Sequence, residues 1–163
     1  MENDNFGSIA YAHAGKALAY FEFDRKVRKI NGQLGGPLTY EGRRRKSRKP
    51  TAIVERRTKE DYIALFAAFI AQDRFNGSSN DYGDLFDKGG SSYDEARNAY
   101  LKLQYIRAKR LLNQERTWEA IQAIAKELQE KDELSGQDAY WIWYNIRHKD
   151  GGLEVLFGPK VNS

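Results

Sequence analysis

The densest group of potential binding residues is a run of cations, GRRRKSRKP, that begins at Gly42. Guanidinium and ammonium groups bind phosphate oxygens, and each such contact with a nucleic acid releases condensed counterions. Tyr40 lies just before the run and offers a ring on which a base can stack. The sequence therefore predicts a phosphate-binding surface. Its predicted cations are Arg43, Arg44, Arg45, Lys46, Arg48 and Lys49.

Two neighbouring groups of cations could extend this surface. The segment from Arg25 to Arg57 has twelve Lys or Arg and only two acids, whereas the formal net charge of the whole chain is only +4. Such an uneven distribution favours an anionic partner for this segment, or an internal contact with the acidic helices. The two added groups are Arg25, Lys26, Arg28 and Lys29, and Arg56 and Arg57.

Aromatic residues near the end of the chain support an alternative function. Trp and Tyr are common anchors of protein interfaces, and Tyr140, Trp141 and Tyr144 are close together in the sequence. The alternative is an adaptor or inhibitor that binds another protein through these rings or through the basic run. Two structural interpretations stay open beside both functions: aromatic rings can belong to the core, and a basic run can be a solvated loop.

Catalytic and metal-binding chemistry has little support in the sequence. The chain has no cysteine, which excludes disulfides, thiol catalysis and cysteine-ligated metals. Neither His13 nor His148 has the spacing of a metal or acid-base pair. The aspartates at 81, 84 and 87 recur every three residues but lack the pattern of a calcium loop. We therefore expect a non-enzymatic protein without metal or cofactor, and a magnesium-dependent nuclease is a third candidate class.

The length and composition fit one soluble domain. A chain of 163 residues can bury a hydrophobic core, and no apolar segment has the length of a membrane span. The polar, acidic start MENDNFGS is unlike a secretory signal, and the lack of cysteine fits a reducing compartment. We expect a cytoplasmic protein whose residues 1–150 form a single α-rich domain, with 1–8 as a loose tail. We expect it to bind DNA or RNA, with the basic run contacting phosphates and with weak sequence preference.

The predicted fold class is mainly α, with four or five helices. The longest apolar segment, residues 59–75, has large side chains at helical spacing and alanines on the other side, which predicts a central buried helix. Thr58 and Asp61 resemble a capping box at its start. We expect the other helices to pack on this one.

The segments before this helix are harder to interpret. Residues 9–30 favour a helix because of their alanines, although 17–23 has the aromatic content of a strand. Residues 35–57 lack a helical period and predict a basic, extended, hairpin-like excursion, in which strands at 38–40 and 51–55 pair. The cationic run would then be the tip of the hairpin.

Three further helices are predicted after the central one. The first, at 93–112, has an apolar stripe, the second runs from Thr117 to about Lys131, and the third follows Ser135. The stripe of the first of these helices is Ala96, Ala99, Tyr100, Leu103 and Ile106.

The end of the chain has a different character. Leu153 to Pro159, LEVLFGP, resembles the site cleaved by picornaviral 3C-type proteases, LEVLFQGP, without its glutamine. The resemblance implies that residues 151–163 derive from an expression vector and have no part in function.

Overall fold

The computed structural model describes residues 3–32, 35–40, 51–78 and 92–149. This part of the chain is mainly helical, as predicted, with five helices and a small antiparallel sheet of three strands. The helices are α1 (Asn3–Glu22), α2 (Thr51–Asn76), α3 (Ser92–Leu112), α4 (Thr117–Lys131) and α5 (Gly136–Arg147), and the strands are β1 (Val27–Asn31), β2 (Leu38–Thr39) and β3 (Glu133–Ser135).

Helix α1 is the element around which the described residues pack. It contacts α2 and α4 extensively and also touches β1, α5 and α3. Ala10, Ala14 and Ala17 are fully buried along it. Alanine has the highest helix propensity, and its short side chain lets neighbouring helices come close. The prediction that the other helices pack on residues 59–75 is therefore wrong, because α1 has that position.

The start of α1 also differs from the prediction. Residues 3–8 are helical rather than a loose tail, and Ser8 is buried. Its hydroxyl oxygen accepts hydrogen bonds from the side-chain amides of Gln72 and Asn76, at 2.9 and 3.2 Å. These bonds satisfy a buried polar group and attach the first turns of α1 to the end of α2.

The contact between α1 and α2 depends on a glycine. A Cβ at Gly15 would lie 2.7 Å from the Cβ of Ala71 and 2.8 Å from the carbonyl oxygen of Ala67. Ala64, Ala67 and Ala71 are fully buried there. The alanine side of α2 therefore admits another helix, as its small side chains indicated.

The opposite side of α2 is not buried. Leu65 is 39% exposed and Phe69 is 41% exposed, although the sequence predicts a helix buried nearly all round. Helix α2 contacts α1 and α3, and these two neighbours cover only part of its surface. An apolar residue in a helical pattern therefore does not by itself show which side of the helix faces the core.

Helix α2 begins earlier than predicted. Residues 51–57 are its first two turns, so 51–55 does not pair with 38–40 as a strand, and Thr58 is an interior residue rather than a cap. Near this end of the helix an ion pair joins Arg56 to the buried carboxylate of Glu60, four residues on, with Nε and Oε1 3.1 Å apart. Such a pair stabilises helical turns that have no apolar period.

The sheet joins the two halves of the chain. Strand β1 lies between β2 and β3, with Val27 opposite Thr39 and Ile30 opposite Leu134. The predicted strand at 38–40 is thus present at 38–39, but its partner is β1. Residues 27–30, predicted as the end of the first helix, belong to β1 because Asp24 adopts a left-handed backbone, with φ of 56°, and ends the helical run.

Helices α4 and α5 match their predicted positions, whereas the apolar stripe identified on α3 does not face the core. Tyr100, Leu103 and Ile106 are 39, 44 and 37% exposed, and α3 buries Gln104 and Tyr105 instead. Helix α3 packs mainly on α2, so only one narrow face is covered.

The cap of α5 forms as predicted. The Ser135 hydroxyl oxygen accepts a hydrogen bond from the backbone N–H of Asp138, at 3.1 Å. None of the helices in the described ranges is long and apolar enough to cross a membrane.

Candidate binding surface

The residues described on either side of the cationic run have defined places in the fold. Arg43 to Lys49 lie outside the described residues, as does the aspartate-containing segment at 81–87. Just before the run, the backbone N–H of Tyr40 donates a hydrogen bond to the carbonyl oxygen of Lys26, at 2.9 Å. Just after it, Thr51 begins α2. The run therefore connects the outer strand of the sheet to the start of α2.

Two of the predicted cations are neutralised by carboxylates of α2. The Arg25 guanidinium lies 2.6 Å from Asp61 Oδ1 and 3.9 Å from Glu60 Oε2, and it also stacks over the Tyr20 ring at 4.7 Å. Arg56 contacts the same Glu60. Because its side chain is largely buried, Arg25 contributes to the packing of α2 more than to a free positive surface, whereas Arg56 is exposed and has its charge balanced by Glu60.

A third predicted cation is paired across the sheet. Lys29 Nζ lies 2.5 Å from Glu133 Oε1, and the two residues come from neighbouring strands, β1 and β3. Both side chains are partly exposed, so the pair contributes little to stability. It does remove one positive charge from the β3 side of the sheet.

Three predicted residues remain together as an exposed set. Lys26 and Arg28 are exposed, and within the described residues neither forms an ion pair. Tyr40, 53% exposed, is held beside Lys26 by the backbone hydrogen bond. Arg57, on α2, is half-buried. We call Lys26, Arg28 and Tyr40 the strand cluster; it lies where the cationic run leaves the sheet.

An open cleft of about 460 Å³ adjoins the strand cluster. Its inner surface consists of the buried residues Phe21, Val27 and Gly136. Helix α5 packs directly on β1 at Gly136, where a Cβ would lie only 1.6 Å from the Val27 carbonyl oxygen. Only glycine fits this position, because the group in the way is backbone.

The sides of the cleft differ in chemistry. One side is the turn between α1 and β1, with Asp24, Arg25 and Lys26. The other side is the start of α5, with Tyr140, Trp141 and the exposed amide of Gln137. The turn is held in place by a hydrogen bond from the backbone N–H of Arg25 to the Tyr20 carbonyl oxygen, at 2.9 Å. The cleft thus combines an aromatic wall with cations and polar groups at its rim.

The aromatic residues of α5 pack against one another. The rings of Tyr140 and Tyr144 are stacked, with centroids 5.9 Å apart, and Trp141 meets Tyr144 edge-on at 5.5 Å. Tyr140 also contacts the buried Phe21 ring at 5.6 Å. All three residues are half-buried. They therefore contribute to packing, and Tyr140 and Trp141 also line the cleft.

The described residues contain no group of three or more His, Asp or Glu side chains placed to hold a metal ion. Burial lowers the pKa of His13 below its usual value of 6.5, and the nearby charge of Lys16 lowers it further. The His148 ring lies 4.4 Å from the Tyr144 ring, at the end of α5.

Sequence reasoning missed most of the cleft. Phe21 and Asp24 lie at or just after the end of α1, Gln137 lies at the start of α5 far along the sequence, and the three carry no shared motif. The one local signal was Gly136, a glycine in the first turn of a helix where a side chain would usually be favoured.

Comparison with known proteins gives no match to a protein-family model, to a curated protein or to a solved structure.

Proposed function

We propose that the protein binds nucleic acid through a basic surface centred on the strand cluster and the adjoining cationic run. The observation that carries this proposal is the position of Lys26, Arg28 and Tyr40, which are exposed together where the run leaves the sheet. Six further cations follow within nine residues of Tyr40. A polyanion is the partner that neutralises such a density of charge.

The excess of positive charge is confined to one region of the molecule and is not spread over its whole surface. Outside residues 25–57 acids outnumber bases, and Arg25, Lys29 and Arg56 are paired with carboxylates. The positive potential is therefore concentrated near the strand cluster, which would orient an approaching nucleic acid. Phosphate contacts supply most of the affinity on this proposal, so sequence preference is weak and no catalysis is required.

The test is the salt dependence of binding to labelled DNA and RNA, measured by fluorescence anisotropy. If about five phosphates are contacted, log affinity should fall against log salt with a slope of about −4.5 for duplex DNA and about −3.5 for single strands. Replacing Arg43, Arg44 and Arg45 with alanine should weaken binding and make the slope less steep by about 2 to 3.

A matched control removes the same charge elsewhere. Arg97, Lys109 and Arg110 are exposed on α3, and their triple alanine variant should bind almost as tightly as the unchanged protein. Circular dichroism of both variants checks that they are folded. Equal loss of binding in the two triple variants would show that only net charge matters and would reject the proposed surface. Failure of the unchanged protein to bind either polymer at low salt would reject the function.

A second candidate function is that of an adaptor or inhibitor that binds another protein. The observation in its favour is the exposed apolar surface of α2 and α3, where Leu65, Phe69, Leu103 and Ile106 are each at least 37% exposed. Exposed apolar patches often mark protein interfaces. Tyr140, Trp141 and Tyr144 support it less, because they pack on one another. Affinity capture that is lost on Leu103→Glu, in the absence of nucleic-acid binding, would favour this candidate.

A further inference from the structure

We infer that the cleft between the α1–β1 turn and α5 holds one unpaired base of a bound strand, so that the protein prefers single-stranded to duplex nucleic acid. This inference rests on the proposed nucleic-acid function and names the form of the polymer. It is drawn from three features of the described residues: the lining of the cleft, the polar groups at its rim, and its continuity with the strand cluster.

The inner lining suits a flat apolar group. Tyr140 and Trp141 form one wall, and the buried Phe21 closes the inner end. A volume of about 460 Å³ lies within the range of roughly 300 to 1,000 Å³ that is typical of small-molecule sites. Every base has a π-face, so stacking on aromatic side chains tolerates any sequence.

The rim offers hydrogen-bonding groups that suit a base edge. The Gln137 side chain provides both a donor and an acceptor, and the Asp24 carboxylate provides acceptors for an N–H group of a base edge, such as thymine N3–H. In a duplex those edges are already paired and the base faces are already stacked. A base must therefore leave the helix to enter the cleft, at a cost of a few kcal/mol that a single strand does not incur.

The cleft is continuous with the strand cluster. Lys26 lines the rim of the cleft, and its carbonyl oxygen accepts the hydrogen bond from Tyr40. A strand whose phosphates lie along Lys26 and Arg28 therefore passes the mouth of the cleft. Arg25 lies at the same rim, where its ion pair with Asp61 holds the guanidinium in place and makes it less available to a phosphate.

The experiment compares an oligothymidylate of about twelve nucleotides with a duplex of about twelve base pairs. This length falls within the roughly 4 to 16 nucleotides that single-strand binders cover. The unchanged protein should bind the single strand more tightly at the same salt concentration. Trp141→Ala should weaken single-strand binding about 5- to 150-fold, the range for loss of one stacked base, and should leave duplex binding nearly unchanged.

Two further variants keep the test decisive if Trp141→Ala disturbs folding. Trp141→Phe retains an aromatic face and should keep most of the single-strand affinity. Tyr100→Ala removes an exposed ring on α3 that does not line the cleft, and it should leave the preference for single strands unchanged. Lys26→Ala should weaken binding of both polymers, because it removes a phosphate contact common to both.

The outcomes separate the two proposals. If single strand and duplex bind equally and Trp141→Ala alters neither, the cleft inference is wrong while the proposed function stands. If neither polymer binds, both fail. A free nucleoside monophosphate carries the same base with a single phosphate and should compete only at far higher concentration. If it competes as well as the strand, the cleft is a nucleotide site and the inference is overturned.

Discussion

Replacement of Gly15 by alanine tests the close contact between α1 and α2. In an isolated helix the change would stabilise by about 1 kcal/mol, because alanine has the higher helix propensity. Here the new Cβ would lie 2.7 Å from the Ala71 Cβ and 2.8 Å from the Ala67 carbonyl oxygen. Both distances are well below van der Waals contact, and the oxygen belongs to the backbone of α2.

The magnitude follows from these two opposing effects. Overpacking in a well-filled core costs about 1 to 3 kcal/mol, because whole helices must shift. Subtracting the propensity gain leaves an expected net loss of about 1 kcal/mol in the free energy of unfolding. For a domain of this size that corresponds to a fall of about 2 to 4 °C in Tm. Gly15→Val should lower the free energy of unfolding further, because valine carries two carbons more than alanine and has a lower helix propensity.

Gly7 provides a matched control in the same helix. A Cβ there would lie 2.7 Å from Phe75 Cζ and 2.9 Å from Gln129 Nε2, which are the ends of side chains that can move. Gly7→Ala should therefore be neutral or slightly stabilising. Urea unfolding followed by far-UV circular dichroism measures both variants. If Gly15→Ala is as stable as Gly7→Ala, α1 and α2 do not approach as closely as described.

Three other changes test the surroundings of the proposed surface. Burial lowers the folded-state pKa of His13, so near pH 6 the unfolded chain binds more protons than the folded protein. The free energy of unfolding should therefore decrease as the pH falls through about 6.5 toward that lowered pKa. His13→Gln should reduce this loss of stability. Ser135→Ala removes the cap of α5 and should lower the free energy of unfolding by about 1 kcal/mol in urea titrations. Asp61→Asn removes a charge that neutralises Arg25 and should tighten nucleic-acid binding in the anisotropy assay.

Each of these has its own control. His148→Gln should keep the pH dependence of the unchanged protein, since His13 is retained; a flat profile in that variant would contradict the assignment. Ser135→Asp keeps a side-chain oxygen at the cap and should restore most of the lost stability. Glu127→Gln alters an ion pair with Lys131 on α4, away from the cleft lining, and a gain in affinity equal to that of Asp61→Asn would argue against a local effect.

The helical part of the fold was predictable where apolar periodicity and a capping residue agreed. Helix α4 has buried residues at helical spacing, and Ser135 caps α5 as its sequence indicated. The start of α2 was missed because its first two turns, residues 51–57, lack the apolar period by which the rest of the helix was recognised. The break after α1 was missed because it depends on the left-handed backbone of Asp24, with no glycine or proline to mark it.

The candidate site was less predictable than the fold. The sequence identifies cations but not their partners, since Lys29 meets Glu133 only through the register of β1 and β3. The pairing of Arg25 with Asp61 likewise requires α2 to lie beside the α1–β1 turn. In the sequence, Lys26 and Arg28 look no different from the paired cations Arg25 and Lys29. Which cations remain available to a partner is a property of the tertiary structure.

The place of β1 within the sheet has a consequence for how the protein is made. Ile30 lies opposite Leu134, so the central strand gains its second neighbour only when nearly all the described chain has left the ribosome. Until then Lys26 and Arg28 are present without α5 and without the aromatic wall. If the protein binds nucleic acid as proposed, its positive charge leaves the ribosome before the aromatic wall exists, and the preference for single strands is acquired only once β3 and α5 have packed on β1.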